Sequence, residues 1–173
     1  PDEPRDLNLA ALEGTLWGCA FWIKPHVAVP ALFVIVVDAW HRRHSRHTIK
    51  QVAAVIVGGL IAALPGIWWL IDNGAWPHFW EMMPEWNPEY LAAGRERRSL
   101  DRWLMMAYRF HPWWVVHLVA IPLACRALRN VITRRNQNSA DHSVSLLAAI
   151  YLGWLLQAVV LQHAMDYIHA API

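Results

Sequence analysis

The chain is short of charge. Asp, Glu, Lys and Arg make up 16% of its 173 residues, too little polar surface for a soluble domain of this size. Cysteine is scarce as well. Cys19 and Cys125 form no CxxC pair and no zinc spacing, and both fall inside apolar runs. They are expected to be buried free thiols acting as small hydrophobes, and no metal ligand set is assigned. The formal net charge of +2 is too small for a nucleic-acid partner. No internal repeat is evident, which argues against a repeat-built architecture. The sequence as read begins at Pro1 with no signal peptide before it and ends at Pro172-Ile173 with no cytoplasmic tail, and both ends are expected to be cuts through a longer chain. The expectation is a single transmembrane domain over 1–173, cut from a larger polytopic protein.

What the sequence has in quantity is apolar length. Hydrophobic residues make 57% of it, with 12 tryptophans, and they come in long blocks separated by short charged ones. That is a membrane pattern. The predicted fold is all-α, a polytopic transmembrane helix bundle of about five membrane segments at 7–23, 27–40, 51–71, 113–128 and 144–161. A Trp-rich external loop at 72–112 is expected to hold interface-lying helices, one of them from Ser99, a plausible cap, to Phe110. Asp6 is placed to cap the first segment. Pro25 disfavours helical geometry at Lys24, so a break is expected there, most simply a hairpin. Pro65-Gly66 is expected to kink the third segment.

Sidedness follows from the basic residues. Arg42, Arg43, Arg46 and Lys50 mark a loop at 41–50, and Arg126, Arg129, Arg134 and Arg135 mark a second at 126–135. Two segments lie between them, so both fall on one side, the cytoplasmic side by the positive-inside rule. The Trp-rich loop, the Lys24-Pro25-His26 junction and the stretch from Gln162 to His169 then lie outside. An integral protein of a bacterial inner (plasma) membrane fits this layout.

Ionisable groups within membrane segments are costly and so are functional candidates. On one uninterrupted helix Glu13 and Lys24 would share a face roughly 16 Å apart, able to line one cavity. Lys24, beside His26 at a helix break, suits an anionic headgroup or phosphate. Gln162, Asp166 and His169 follow i, i+4, i+7, with His163 and Tyr167 among them. Such a cluster can orient a sugar, relay a proton or meet a phosphate-bound metal, so a divalent cation is a conceivable cofactor. Trp80 and Trp86 offer stacking surfaces for a cavity wall, or an aromatic belt at the lipid interface.

The run from Leu12 through Glu13, Gly14, Gly18 and Ile23 to Lys24-Pro25-His26, followed by an apolar helix with Pro30-Ala31-Leu32, resembles a segment of the polytopic GT-C glycosyltransferases, relatives of the protein mannosyltransferases. The ending Leu161-Gln162-His163-Ala164-Met165-Asp166-Tyr167-Ile168-His169 is similar to helix ends in some of those enzymes. The resemblance implies transfer of a sugar from a polyprenyl-phosphate carrier to a glycan, lipid or protein acceptor on the outer face. Lys24 and His26 would contact the carrier phosphate. The family's acidic catalytic loop has no counterpart here, so the catalytic residues are expected outside this chain. Two other classes compete. His117 and His163 at matching depth could hold a haem in an electron carrier. The breaks at Pro25 and Pro65-Gly66 could belong to a transporter or structural subunit.

Overall fold

The structure, a computed structural model, describes residues 6–42, 47–96, 99–109, 111, 113–133 and 139–161. It is all-helical: α1 (Leu7–Ile23), a 3-10 turn (Pro25–Val27), α2 (Ala28–His41), α3 (Thr48–Asp72), α4 (Trp76–Glu96), α5 (Leu100–Arg109), α6 (Trp113–Thr133) and α7 (Ser139–Leu161). Asp6 caps α1, its side chain accepting from the Asn8 N–H at 2.9 Å. Ser99 caps α5 through the Arg102 N–H at 3.3 Å. The chain breaks where proline demands it. Lys24 is extended (φ −150°, ψ 100°), and its N–H closes α1 on the Ala20 carbonyl.

Three helices, α3, α6 and α7, are long and apolar enough to cross a membrane. Only 11%, 17% and 33% of their most apolar stretches are covered by the rest of the protein. Side chains such as Leu60, Leu64, Trp68, Leu118 and Leu147 point outward. Water would not tolerate so much uncovered apolar surface, whereas lipid does. The other two expected segments, α1 with 17 residues and α2 with 14, are shorter than the roughly 20 of a full crossing.

Some expectations hold and others need correction. The connection at 72–112 holds helices, as expected: α5 starts after Ser99, and α4, whose bounds were not foreseen, runs through Pro84 and Pro88. Each proline removes one backbone donor without ending the helix. The basic loops are shorter than read: residues 48–50 belong to α3, and Arg126 and Arg129 lie on α6. Pro65, where a kink is expected, lies inside α3, which the structure assigns as one helix. Cys19 and Cys125 are exposed on the outer faces of their helices, not buried.

Two helix groups make the bundle. α1 and α3 run parallel: Gly14 lies against Val55, Gly18 against Ala62, and Trp22 against Gly66. A Cβ at Gly14 would overlap the Val55 carbonyl oxygen, and one at Gly58 the Ala11 carbonyl oxygen. The backbones therefore touch, as small-residue seams allow in membranes. Thr15 Oγ1 donates to the Ala11 carbonyl at 3.0 Å and reaches that of Gly58 at 3.4 Å. The second group is α2, α6 and α7. α2 and α7 are antiparallel, with Pro30 beside Gly153 and Asp38 beside His142. α6 packs on α7 near His117 and Tyr151. These directions make α1 and α2 a hairpin whose arms stand apart. Their near ends, and the starts of α3 and α7, share one end of the bundle with the basic segments.

Candidate functional site

Two places gather polar side chains. The first is the junction between α1 and α2. Lys24 Nζ lies 5.6 Å from the ring centroid of Trp154 on α7, a cation–π contact across helices. Gln157, one turn beyond Trp154, is buried. His26 stands in the 3-10 turn beside Lys24. Burial first, and then the Lys24 charge, push its imidazole below the ordinary histidine value. Lys24 is thus a cation set against an aromatic ring of α7 at the α1–α2 junction. α7 ends at Leu161 at this same end of the bundle. The expected site residues Gln162, His163, Asp166, Tyr167 and His169 lie outside the described residues, as does the side chain of Trp86.

The second place is a cavity of about 510 Å³ between the arms of the α1–α2 hairpin, closed by α7. Leu16, Ala20, Val34 and Ile150 form apolar walls. Its other end is charged: Glu13 from α1, Asp38 and Arg42 from α2, and His142 from α7. Asp38 Oδ1 accepts from Arg42 Nε at 3.0 Å and from His142 Nε2 at 3.1 Å. His142 stacks on His41, centroid to centroid 4.2 Å. Its other nitrogen, Nδ1, is buried with no hydrogen-bond partner among the described residues. Glu13 accepts from the Trp17 indole N–H at 3.4 Å. The loop end is tied down by Thr48 Oγ1, which donates to the Arg42 carbonyl.

Glu13 lines this cavity and Lys24 does not, so the two do not share one as expected. Trp80 is exposed and packs edge-on against Trp76 and Phe79, away from this cavity. His117 is buried, with Nδ1 held by the Tyr151 hydroxyl at 2.7 Å. Among the described residues, no group of three or more His, Cys, Asp or Glu side chains could hold a metal ion. Sequence reasoning missed Asp38, Arg42 and His142 as a unit. Half the signal was present, since an acid inside an apolar run followed by an arginine at i+4 is a paired charge at a helix end. Nothing local tied that pair to His142. Comparison of the chain with family models, curated proteins and solved structures gives no match.

Proposed function

We propose that the chain is a five-segment membrane bundle of a polytopic glycosyltransferase, one that takes its sugar from a polyprenyl-phosphate carrier at the outer face of a bacterial inner membrane. The observation that carries this is Lys24, held at a helix break and set over Trp154 at the bundle end opposite the basic segments. The alternating helix directions support counting α1 and α2 as membrane segments, because α1 lies backbone to backbone along α3. The positive-inside rule assigns the basic end to the cytoplasm and Lys24 to the outside.

At that interface a lipid phosphate presents its charge at the depth of the junction. Lys24 favours phosphate over a neutral lipid and stabilises the charge that develops on phosphate as the sugar departs. His26, held toward its neutral form, adds a hydrogen-bonding group without a second charge. The resemblance of the Glu13–His26 run to GT-C enzymes supplies the reaction class, and the acidic catalytic groups are expected in flanking sequence.

Native mass spectrometry of the intact protein, gently extracted in detergent, tests this. The expected result is a bound polyprenyl phosphate, lost in Lys24→Ala and kept in Lys24→Arg. Bulk phospholipid alone, unchanged by Lys24→Ala, would overturn the reading. A haem-sized adduct with a Soret band would replace it with electron transfer through His117.

A further inference from the structure

We infer that the apolar groove between α2 and α6 holds an acyl chain of an anionic phospholipid, whose phosphate meets Arg129. The inference does not depend on the glycosyltransferase reading. It needs only that the bundle sits in a membrane.

The groove has a volume of about 440 Å³, within the range of small-molecule sites. Val131 is its buried floor, and Leu32, Val36, Trp40 and Ile132 are exposed lips. α2 and α6 both pack on α7, yet no described residue of α7 lines the groove, so it opens toward the lipid. From Leu32 to Trp40 its α2 wall covers about 12 Å of helix, and one leaflet of hydrocarbon is about 15 Å deep. The groove is therefore nearly as long as a leaflet is thick. Its mouth lies where the last turns of α2 and α6 reach the basic segments. Trp40 suits that interfacial level.

The walls argue against a helix as the occupant. Membrane helices approach closely over Gly, Ala, Ser or Thr, as α1 and α3 do at Gly14 and Gly58. The groove is lined only by Leu, Phe, Val, Trp and Ile. Such bulky walls hold a second backbone off and leave an irregular furrow, which a flexible hydrocarbon chain fills. The charge at the mouth selects the head. Arg126 and Arg129 lie within the apolar helix α6 and are exposed. An arginine on a lipid-facing helix is costly unless its long stem carries the guanidinium to headgroup level. Arg129 follows Leu128 and stands three residues before Ile132, so it flanks the α6 wall. There the phosphate of a lipid whose tail occupies the groove accepts from the guanidinium. A head of net negative charge gains from the whole basic end, whereas a zwitterionic head brings an ammonium that the same cations repel.

The experiment places the intact protein in nanodiscs of equal amounts of glycerol-headed and choline-headed phospholipids with identical acyl chains. A trace of one lipid or the other carries a photoactivatable diazirine in its chain, and the labelled peptides are mapped by mass spectrometry. Labelling of α2 and α6 at the groove should be about fivefold higher from the glycerol-headed lipid, the size of one arginine contact with an anionic headgroup. The exposed α3 ridge of Ile56, Leu60 and Leu64 should show no such preference. Arg129→Gln should bring the groove close to parity, and Arg129→Lys should keep the preference. Val36→Trp, which fills the groove from an exposed position, should lower groove labelling by both lipids and leave α3 labelling unchanged. Lys24→Ala should change nothing at the groove, which separates this site from the carrier-phosphate site. Helicity by circular dichroism confirms that each variant is folded. Equal labelling of the groove by the two lipids would overturn the inference, and so would a preference that survives Arg129→Gln. A groove labelled by neither lipid would also overturn it and assign the groove to a protein segment.

Discussion

The two helix groups are held together by different means. α1 and α3 meet backbone to backbone along Gly14, Gly18 and Gly58, and leave no room for a side chain between them. α2 and α7 come close at one place, Pro30 against Gly153, and the trio of α2, α6 and α7 is joined elsewhere by polar side chains: Asp38 with His142, His117 with Tyr151, and the His41–His142 stack. Where backbones touch, nothing else fits and no chemistry is available. Where helices part, spaces remain, about 510 Å³ between α1, α2 and α7 beside Asp38 and an apolar groove of about 440 Å³ between α2 and α6. The close-packed pair serves as a rail on the α1–α3 seam, while the other side of α1, with Glu13, faces the cavity that α2 and α7 close.

The largest expected effect breaks the rail. Gly58→Ala puts a methyl into the Ala11 carbonyl, whereas Gly59→Ala meets only the Gly14 carbonyl oxygen at an ordinary 3.5 Å. Neither helix backbone can yield without separating the pair. Gly58→Ala should therefore cost about 3 kcal/mol, at the upper end of overpacking penalties, and Gly59→Ala well under about 1 kcal/mol. Unfolding titrations in mixed micelles measure both. Equal costs at the two adjacent glycines would show that the α1–α3 seam is not the tight one described.

Next in size is the polar joint of the trio. Asp38 is mostly buried and answers two donors, Arg42 and His142. Asp38→Asn should cost about 1–3 kcal/mol, because it leaves both donors facing a neutral amide. A double-mutant cycle with His142→Phe should give a coupling of about 1 kcal/mol. The same substitution combined with Gly58→Ala should be additive, since the two sites share no partner. Non-additivity there would merge the two groups into one unit.

How far the sequence reveals this division depends on the scale of the signal. Apolar runs mark the helix centres, because covering a lipid-facing surface takes consecutive apolar residues whatever they pack against. Pro25 marks the break at Lys24, and Ser99 the start of α5, since both act through their own backbone neighbours. Helix ends are less legible. Arg126 and Arg129 look like loop residues, yet α6 carries them past its apolar run to Thr133. α4 hides behind Pro84 and Pro88, which argue against a helix by local rules alone. The cavity was the least legible feature. Asp38 and His142 meet only because α2 and α7 pack antiparallel, and Trp154 under Lys24 is one aromatic among many in an apolar run. Such pairings are made by tertiary packing and leave no period in the sequence.

A smaller effect is expected inside the trio at Tyr151. Tyr151→Phe removes the hydroxyl 2.7 Å from His117 Nδ1 and keeps the ring. Interhelical hydrogen bonds in membranes average well below their nominal strength, so a loss of about 0.5–1 kcal/mol is expected. A larger loss would mean that α6 depends on this one contact for its place against α7.

The smallest expected change in stability is the most informative about function. Among the described residues, the Lys24 side chain meets the fold in a cation–π contact, 5.6 Å from the ring centroid of Trp154. Such a contact is worth about 0.5–1 kcal/mol where water or headgroups reach it. Lys24→Ala should therefore leave the unfolding midpoint nearly where it was, while Gly58→Ala moves it far. If Lys24→Ala also abolishes retention of polyprenyl phosphate, binding and folding have separated. The residue that matters little to the rail or the trio is then the one that meets the carrier. If the same substitution unfolds the protein, Lys24 is a structural clasp between the α1–α2 junction and α7, and the loss of lipid says nothing about a phosphate site. Trp154→Phe decides between these cases, because it weakens the clasp and keeps the charge. Retained lipid with lowered stability would assign Lys24 to binding through its charge alone.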